Sequence, residues 1–213
     1  GLISSNLSME GPIKKEESSF MLSARRTYAD LFLKFAPDKD LRDTQLYFYD
    51  LNLKTDFRLN ERSRLFVSGY LGRDKFKMQD QFGFDWGSKT ATVRLNRTFN
   101  EKLFSNSSLI FSDYSYQIDI AGNNDVLMGS RIQDFNLKQD FSWYLNSRNT
   151  LKFGANIIFH KIVPGEIEAA PGSIYSSLAV RPRRAIESAL YASSTQQLSE
   201  HLQLYYGVRM ALF

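Results

Sequence analysis

Over residues 44 to 59, TQLYFYDLNLKTDFRL, the residues Tyr47, Tyr49, Leu51, Leu53, Phe57 and Leu59 take one set of alternate positions. Asp50, Asn52, Lys54, Asp56 and Arg58 take the other. A period of two belongs to a β-strand, whose side chains point to opposite faces in turn. Strands in soluble proteins usually run about 5 or 6 residues, yet here the alternation persists across the whole stretch. It returns in RIQDFNLKQDFSWYL, with Phe135, Leu137, Phe141, Trp143 and Leu145 set against Asp134, Asn136, Lys138, Asp140 and Ser142. In TATVRLNRTF it sets Ala91, Val93, Leu95 and Phe99 against Thr92, Arg94, Asn96 and Thr98, and in LKFGANIIF the apolar row is Leu151, Phe153, Ala155, Ile157 and Phe159.

About ten such segments follow one another, at residues 2 to 10, 19 to 28, 44 to 59, 64 to 73, 84 to 99, 103 to 118, 131 to 145, 150 to 163, 185 to 198 and 202 to 213. The first, sixth and ninth alternate less clearly. The connections at 11 to 18, 60 to 63, 100 to 102, 146 to 149 and 199 to 200 are brief and polar, as hairpin turns are; those at 29 to 43, 74 to 83, 119 to 130 and 164 to 184 are long. Pro12, Pro37, Pro164, Pro171 and Pro182 are expected in connections, since proline cannot donate to a ladder.

Long antiparallel strands, with short turns at one rim and long loops at the other, predict an all-β, up-and-down transmembrane β-barrel. In such a wall the apolar row meets hydrocarbon and the polar row meets an aqueous bore. The expected lumen-facing row is therefore Asp50, Asn52, Lys54, Asp56, Arg58, Arg94, Asn96, Asp134, Asn136, Lys138 and Asp140. Most of these charges are expected to pair across neighbouring strands. Arg97 falls on the lipid row, close enough to the NEK turn to snorkel. Tyr47 and Tyr49 near the loop end, with Phe99 and Trp143 near the turn end, would form aromatic girdles. A soluble sandwich also alternates, but with its greasy face inward and shorter strands.

Composition narrows the chemistry. No apolar run reaches the roughly 18 residues a membrane helix needs. There is no cysteine and there are 2 histidines, which removes thiolate chemistry and leaves few metal ligands. The net charge of +4 comes from 27 basic and 23 acidic residues mixed along the chain, so a nucleic-acid partner is not expected. His160 and His201 are expected at opposite rims, too far apart to share a metal. An omptin-like protease would need His160 with Asp119, Asp125 or Glu166, and spacing singles out none of them. GNNDVLMG and DKDLRD lack the order of a calcium-binding EF-hand loop. RPRR, residues 181 to 184, is a basic cluster suited to loop solvation or to acidic lipopolysaccharide. No cofactor is expected, and no catalytic or metal-binding residues are assigned.

The string LSMEGPIKKEESSFMLSARRTYADLFL resembles the start of the barrel in TonB-dependent outer-membrane receptors of Bacteroidetes, the broad group that includes SusC-like transporters. The resemblance rests on Glu10, Gly11, Pro12, Ser19, Phe20, Ser23, Ala24, Arg25, Arg26, Thr27, Tyr28 and Asp30. FYDLNLKTDFRLNERSRLFVSGYLGRDKF and LQLYYGVRMALF are similar to barrel hairpins of that group. The resemblance implies a 22-stranded barrel around a plug domain, a nutrient receptor that is not an enzyme, and a bacterial outer-membrane location. Implied partners are the TonB complex acting through the plug, a surface lipoprotein lid, outer-membrane lipid and a small nutrient ligand. Residues 1 to 213 hold neither plug nor TonB box, and about ten strands fall short of a full wall. The chain is accordingly expected to be the first half of a barrel within a longer protein. A complete small barrel, acting as an adhesin or binding protein or as an omptin-like protease, is the alternative. Ligand or lid contacts are expected in the connections at 29 to 43 and 164 to 184.

Overall fold

The structure, a computed structural model, describes residues 3–78, 82–120, 126–169 and 176–213. One antiparallel sheet of 10 strands runs in strict chain order. The strands are β1 (Ser4–Lys14), β2 (Ser18–Thr27), β3 (Gln45–Asn60), β4 (Ser63–Met78), β5 (Phe82–Thr98), β6 (Leu103–Ile120), β7 (Val126–Asn146), β8 (Asn149–Ala169), β9 (Arg183–Gln197) and β10 (Gln203–Leu212). Two short helices, α1 (Ala29–Leu33) and α2 (Lys39–Arg42), lie between β2 and β3.

The register follows from the sequence, because directly opposed residues share a face and a slip of one would turn every charge to the other side. One rung can be followed almost across the sheet, from Leu7 through Ala24, Leu51, Leu71, Lys89, Asp113, Gln133 and Lys161 to Arg184. Three of the short turns share one device. The backbone N–H of Arg62, Lys102 and Arg148 donates to the side-chain oxygen of the asparagine two residues earlier, Asn60, Asn100 and Asn146, at 2.9, 2.9 and 3.0 Å. An Asx turn of this kind reverses the chain without a glycine. The β1–β2 turn is built differently: Glu17 N–H donates to the Lys14 carbonyl at 3.0 Å, and Glu16 has φ 63°, in the left-handed region.

Several boundaries differ from those the sequence suggests. β1 runs on to Lys14, so Pro12 is inside a strand, close to the turn, and the register to β2 shifts just after it, between Pro12 and Lys14. Pro164 lies within β8, where pairing to β7 jumps from Arg131–Val163 to Gly129–Glu166 and pairing to β9 has already stopped at Ile162–Arg183. No ladder donor is required there. The connection at 74 to 83 shrinks to residues 79–81, because β4 and β5 pair as far as Met78–Phe82. That at 119 to 130 shrinks to 121–125, because β6 and β7 pair as far as Ile120–Val126. Residues 79–81 and 121–125, Asp125 among them, and 170–175, with Pro171, lie outside the described residues. The connection at 29 to 43 is not irregular throughout but holds α1 and α2; Arg42 ties it together by donating to the carbonyls of Ala36 and Pro37 at 3.0 and 2.8 Å.

An apolar interior is almost missing. Val126 and Ala189 are the buried apolar residues among those described, while Thr27, Thr44, Ser105, Ser108 and Asp113 are buried and polar. The accessible surface is 15006 Å², against about 10,000 Å² for a globular chain of this mass. The soluble sandwich is thereby ruled out, since it would enclose the very row that stands bare.

Candidate functional site

The register sorts every strand into two faces. On one face, Leu65, Val67 and Leu71 of β4 continue the row of Leu51 and Leu53, followed by Val93 and Leu95, Leu109 and Phe111, Phe135 and Leu137, Ile157 and Phe159, Leu190, and Val208 and Met210. This apolar face is open: Leu53 is 42% and Leu137 47% exposed. On the opposite face the Asp50 side chain is 13% and that of Asp56 16% exposed. A protein folded for water would have these values the other way round.

All the residues expected to form one polar row do share that second face. Two groups of charges form within it. In the first, across β2–β4, Arg25 Nε donates to Asp50 at 2.7 Å with its guanidinium 4.9 Å from the Phe48 ring centre. Asp56 accepts from Ser19 Oγ and from Arg64 Nε at 2.7 Å. Arg58 stands directly opposite Arg64, and Arg94 lies 5.8 Å from the ring centre of Phe66. Lys54 is exposed between Met21 and Ser68, and Asn52 is half-buried between Ser23 and Tyr70.

The second group crosses β7–β10 as a continuous network. His160 Nδ1 lies 2.7 Å from Asp134, its Nε2 lies 3.9 Å from Glu187, and Glu187 lies 3.6 Å from Arg209. Tyr191 donates its hydroxyl to Asp140, which also has Lys138 at 3.2 Å, and Arg209 covers the Tyr191 ring at 5.6 Å. Gly154 makes room for that ring: it sits on the rung between Asp140 and Tyr191, and a Cβ there would come within 2.7 Å of the tyrosine hydroxyl. Asn96 and Asn136, with Asn156, keep buried carboxamide oxygens that have no partner.

Sequence reading had not singled out Arg25, His160, Glu187, Tyr191 or Arg209 for this face. β9 mixes small and apolar residues on both sides, so its two carriers, Glu187 and Tyr191, announce no row. The partners considered for a protease are not the ones His160 takes. Asp119 lies on the apolar-row face opposite Gly83, and Glu166 lies beyond the β7–β8 irregularity. Among the described residues no group of three or more His, Asp or Glu could hold a metal.

Charges were also unexpected on the apolar-row face, above the greasy band. Arg73 pairs with Asp85 through hydrogen bonds of 2.8, 3.1 and 2.7 Å. Arg131 pairs with Asp113, which also accepts from Gln133 at 3.2 Å. These pairs border a depression of about 330 Å³ with Tyr49 and Lys89 on its edge. Arg97 lies on this face too, at the turn end, 5.0 Å from the Phe99 ring centre.

No family model matches the sequence, and no curated protein matches it. Solved structures do match in shape. The ferric yersiniabactin uptake receptor of Yersinia pestis superposes with a TM-score of 0.70 at 8% identity over 96% of this chain and 36% of its own. The ferric preacinetobactin receptor of Acinetobacter baumannii gives 0.68 at 13% over 98% and 39%, and FpvA of P. aeruginosa, solved bound to heterologous pyoverdines, gives 0.72 at 12% over 98% and 35%. The fold is that of a stretch of the barrel wall of these solved outer-membrane receptors. The chain spans roughly a third of the length of these solved receptors.

Proposed function

We propose that the chain is part of the wall of a TonB-dependent outer-membrane receptor that imports a small nutrient, with its apolar row in lipid and its polar row lining the bore. The observation that carries this reading is the inverted burial: aliphatic side chains stand open along one face while carboxylates are sheltered and paired on the other. Lipid is the medium in which that arrangement is stable, because neighbouring strands satisfy each other's backbone hydrogen bonds and the apolar face needs no protein to cover it. The polar row, from Asp50 through Asp140, serves mainly to hold the wall and to face a plug; it selects no cargo by itself. The plug, the remaining strands and the TonB complex belong to the whole protein in this reading.

Cargo and lid contacts are assigned to the connection between β2 and β3 and to that between β8 and β9. Phe35, 87% exposed in the first of these, supports a role in contact with a partner or ligand. Two of the similar solved proteins are receptors for ferric yersiniabactin and ferric preacinetobactin; for this protein the proposal stops at a small nutrient. Membership of the Bacteroidetes SusC-like group, with a surface lipoprotein lid, rests on the string from Leu7 to Leu33. The reading is tested by nutrient uptake in cells that express the protein. Loss of uptake on removing the inner-membrane TonB complex is expected; undiminished uptake would refute the receptor assignment.

A further inference from the structure

On the apolar-row face, the rung that crosses the sheet ends in two cations side by side: Lys161 of β8 directly opposite Arg184 of β9. Both are exposed, and neither takes part in an ion pair among the described residues. The adjoining positions of that face hold Gln133, Phe159, Val163 and Ile186, with no carboxylate. Like charges facing each other across a ladder repel. Elsewhere on this face the arginines at the same level are neutralised from within the sheet, Arg73 by Asp85 and Arg131 by Asp113. Lys161 and Arg184 have no such carboxylate opposite them, and below them toward the greasy band come Phe159 opposite Ile186, then Ile157 opposite Ser188, then Leu190 opposite Ala155.

A cationic pair set on top of an apolar strip matches an amphiphile with an anionic head and acyl chains. We infer that Lys161 and Arg184 form a binding site for the phosphate of an outer-leaflet lipid whose chains lie along Phe159, Ile157 and Leu190. The guanidinium grips two phosphate oxygens, the ammonium adds a point charge, and the anion relieves the repulsion between them. This inference rests on the lipid-facing orientation proposed above, and goes beyond it by naming a specific headgroup site.

The test uses the protein reconstituted in vesicles of zwitterionic lipid doped with diphosphorylated lipid A, or with the same lipid stripped of its phosphates. Lipid retained per protein is read by native mass spectrometry. Retention of the phosphorylated form alone is expected, with about fivefold weaker retention for each of Lys161→Gln and Arg184→Gln, and with Lys161→Arg close to wild type. Equal retention of both forms, or no change in the variants, overturns the site. A solution arm with inorganic phosphate separates the sources: binding of the free ion as tight as that of the lipid would also overturn it. A nitroxide at Ile157→Cys, read by dissolved-oxygen accessibility, reports the orientation separately. High oxygen accessibility without phosphate selectivity would refute this inference and leave the receptor reading standing.

Discussion

The two faces of this sheet are made by the same strands and the same ladder, yet they are stabilised in opposite ways. Leu51, Leu53, Phe135 and Leu137 gain nothing from one another comparable to a buried core, and their face depends on the medium it touches. Asp50, Asp56 and Asp134 instead find partners one strand away, at 2.7 Å for Arg25 and for His160, and Asp140 finds Tyr191 two strands away. The difference teaches that the information in this chain is directional. What matters is less which residues are present than which side of the pleat each occupies.

The sharpest way to break the comparison is to put a charge on the wrong side. Leu137→Arg is expected to lower unfolding stability in lipid vesicles by about 2–4 kcal/mol, whereas Lys54→Leu on the other face changes it by no more than about 0.5 kcal/mol. Equal costs would dissolve the distinction between faces. Next comes the seat of Tyr191: Gly154→Val drives a side chain into its ring and is expected to cost about 1–3 kcal/mol. Adding Tyr191→Ala recovers part of that loss if crowding is the cause, and denaturant titration of the single and double variants measures it.

Smaller effects refine the polar face. Arg64→Ala removes a half-exposed partner from Asp56 and is expected to cost about 1 kcal/mol or less, with the penalty shrinking as salt is raised. A salt-independent loss would mean that packing, not charge, holds the pair. At the bottom of the scale, Glu16→Gly releases the φ of 63° in the β1–β2 turn and should raise stability by up to about 1 kcal/mol. No gain in the unfolding midpoint would show that the turn carries no strain.

The wall was legible in the sequence because a period of two, repeated over long segments, leaves little freedom: the polar rows of β3, β5 and β7 lie on one face as their alternation requires. Connections were read less well. Met78, Phe82, Ile120 and Val126 look like loop residues when pairing cannot be seen, but the ladder extends to them once a partner strand is alongside. The network on β7–β10 was hidden for another reason. His160, Glu187, Tyr191 and Arg209 are separated in sequence and meet only through register, and Gly154, which seats the tyrosine, is silent in any pattern of polarity. Asp113 and Arg131 were missed because a charge above the hydrocarbon level no longer obeys the alternation below it.

The chain contains no cysteine, so single-cysteine variants at successive positions from Asp50 to Leu59, each carrying a nitroxide, can read the faces one residue at a time. In vesicles, the account predicts that labels at Leu51, Leu53 and Phe57 are relaxed by dissolved oxygen, and those at Asn52, Lys54 and Asp56 by a water-soluble nickel chelate. Labels at Leu51, Leu53 and Phe57 shielded from oxygen, or oxygen accessibility without the two-residue period, would contradict it.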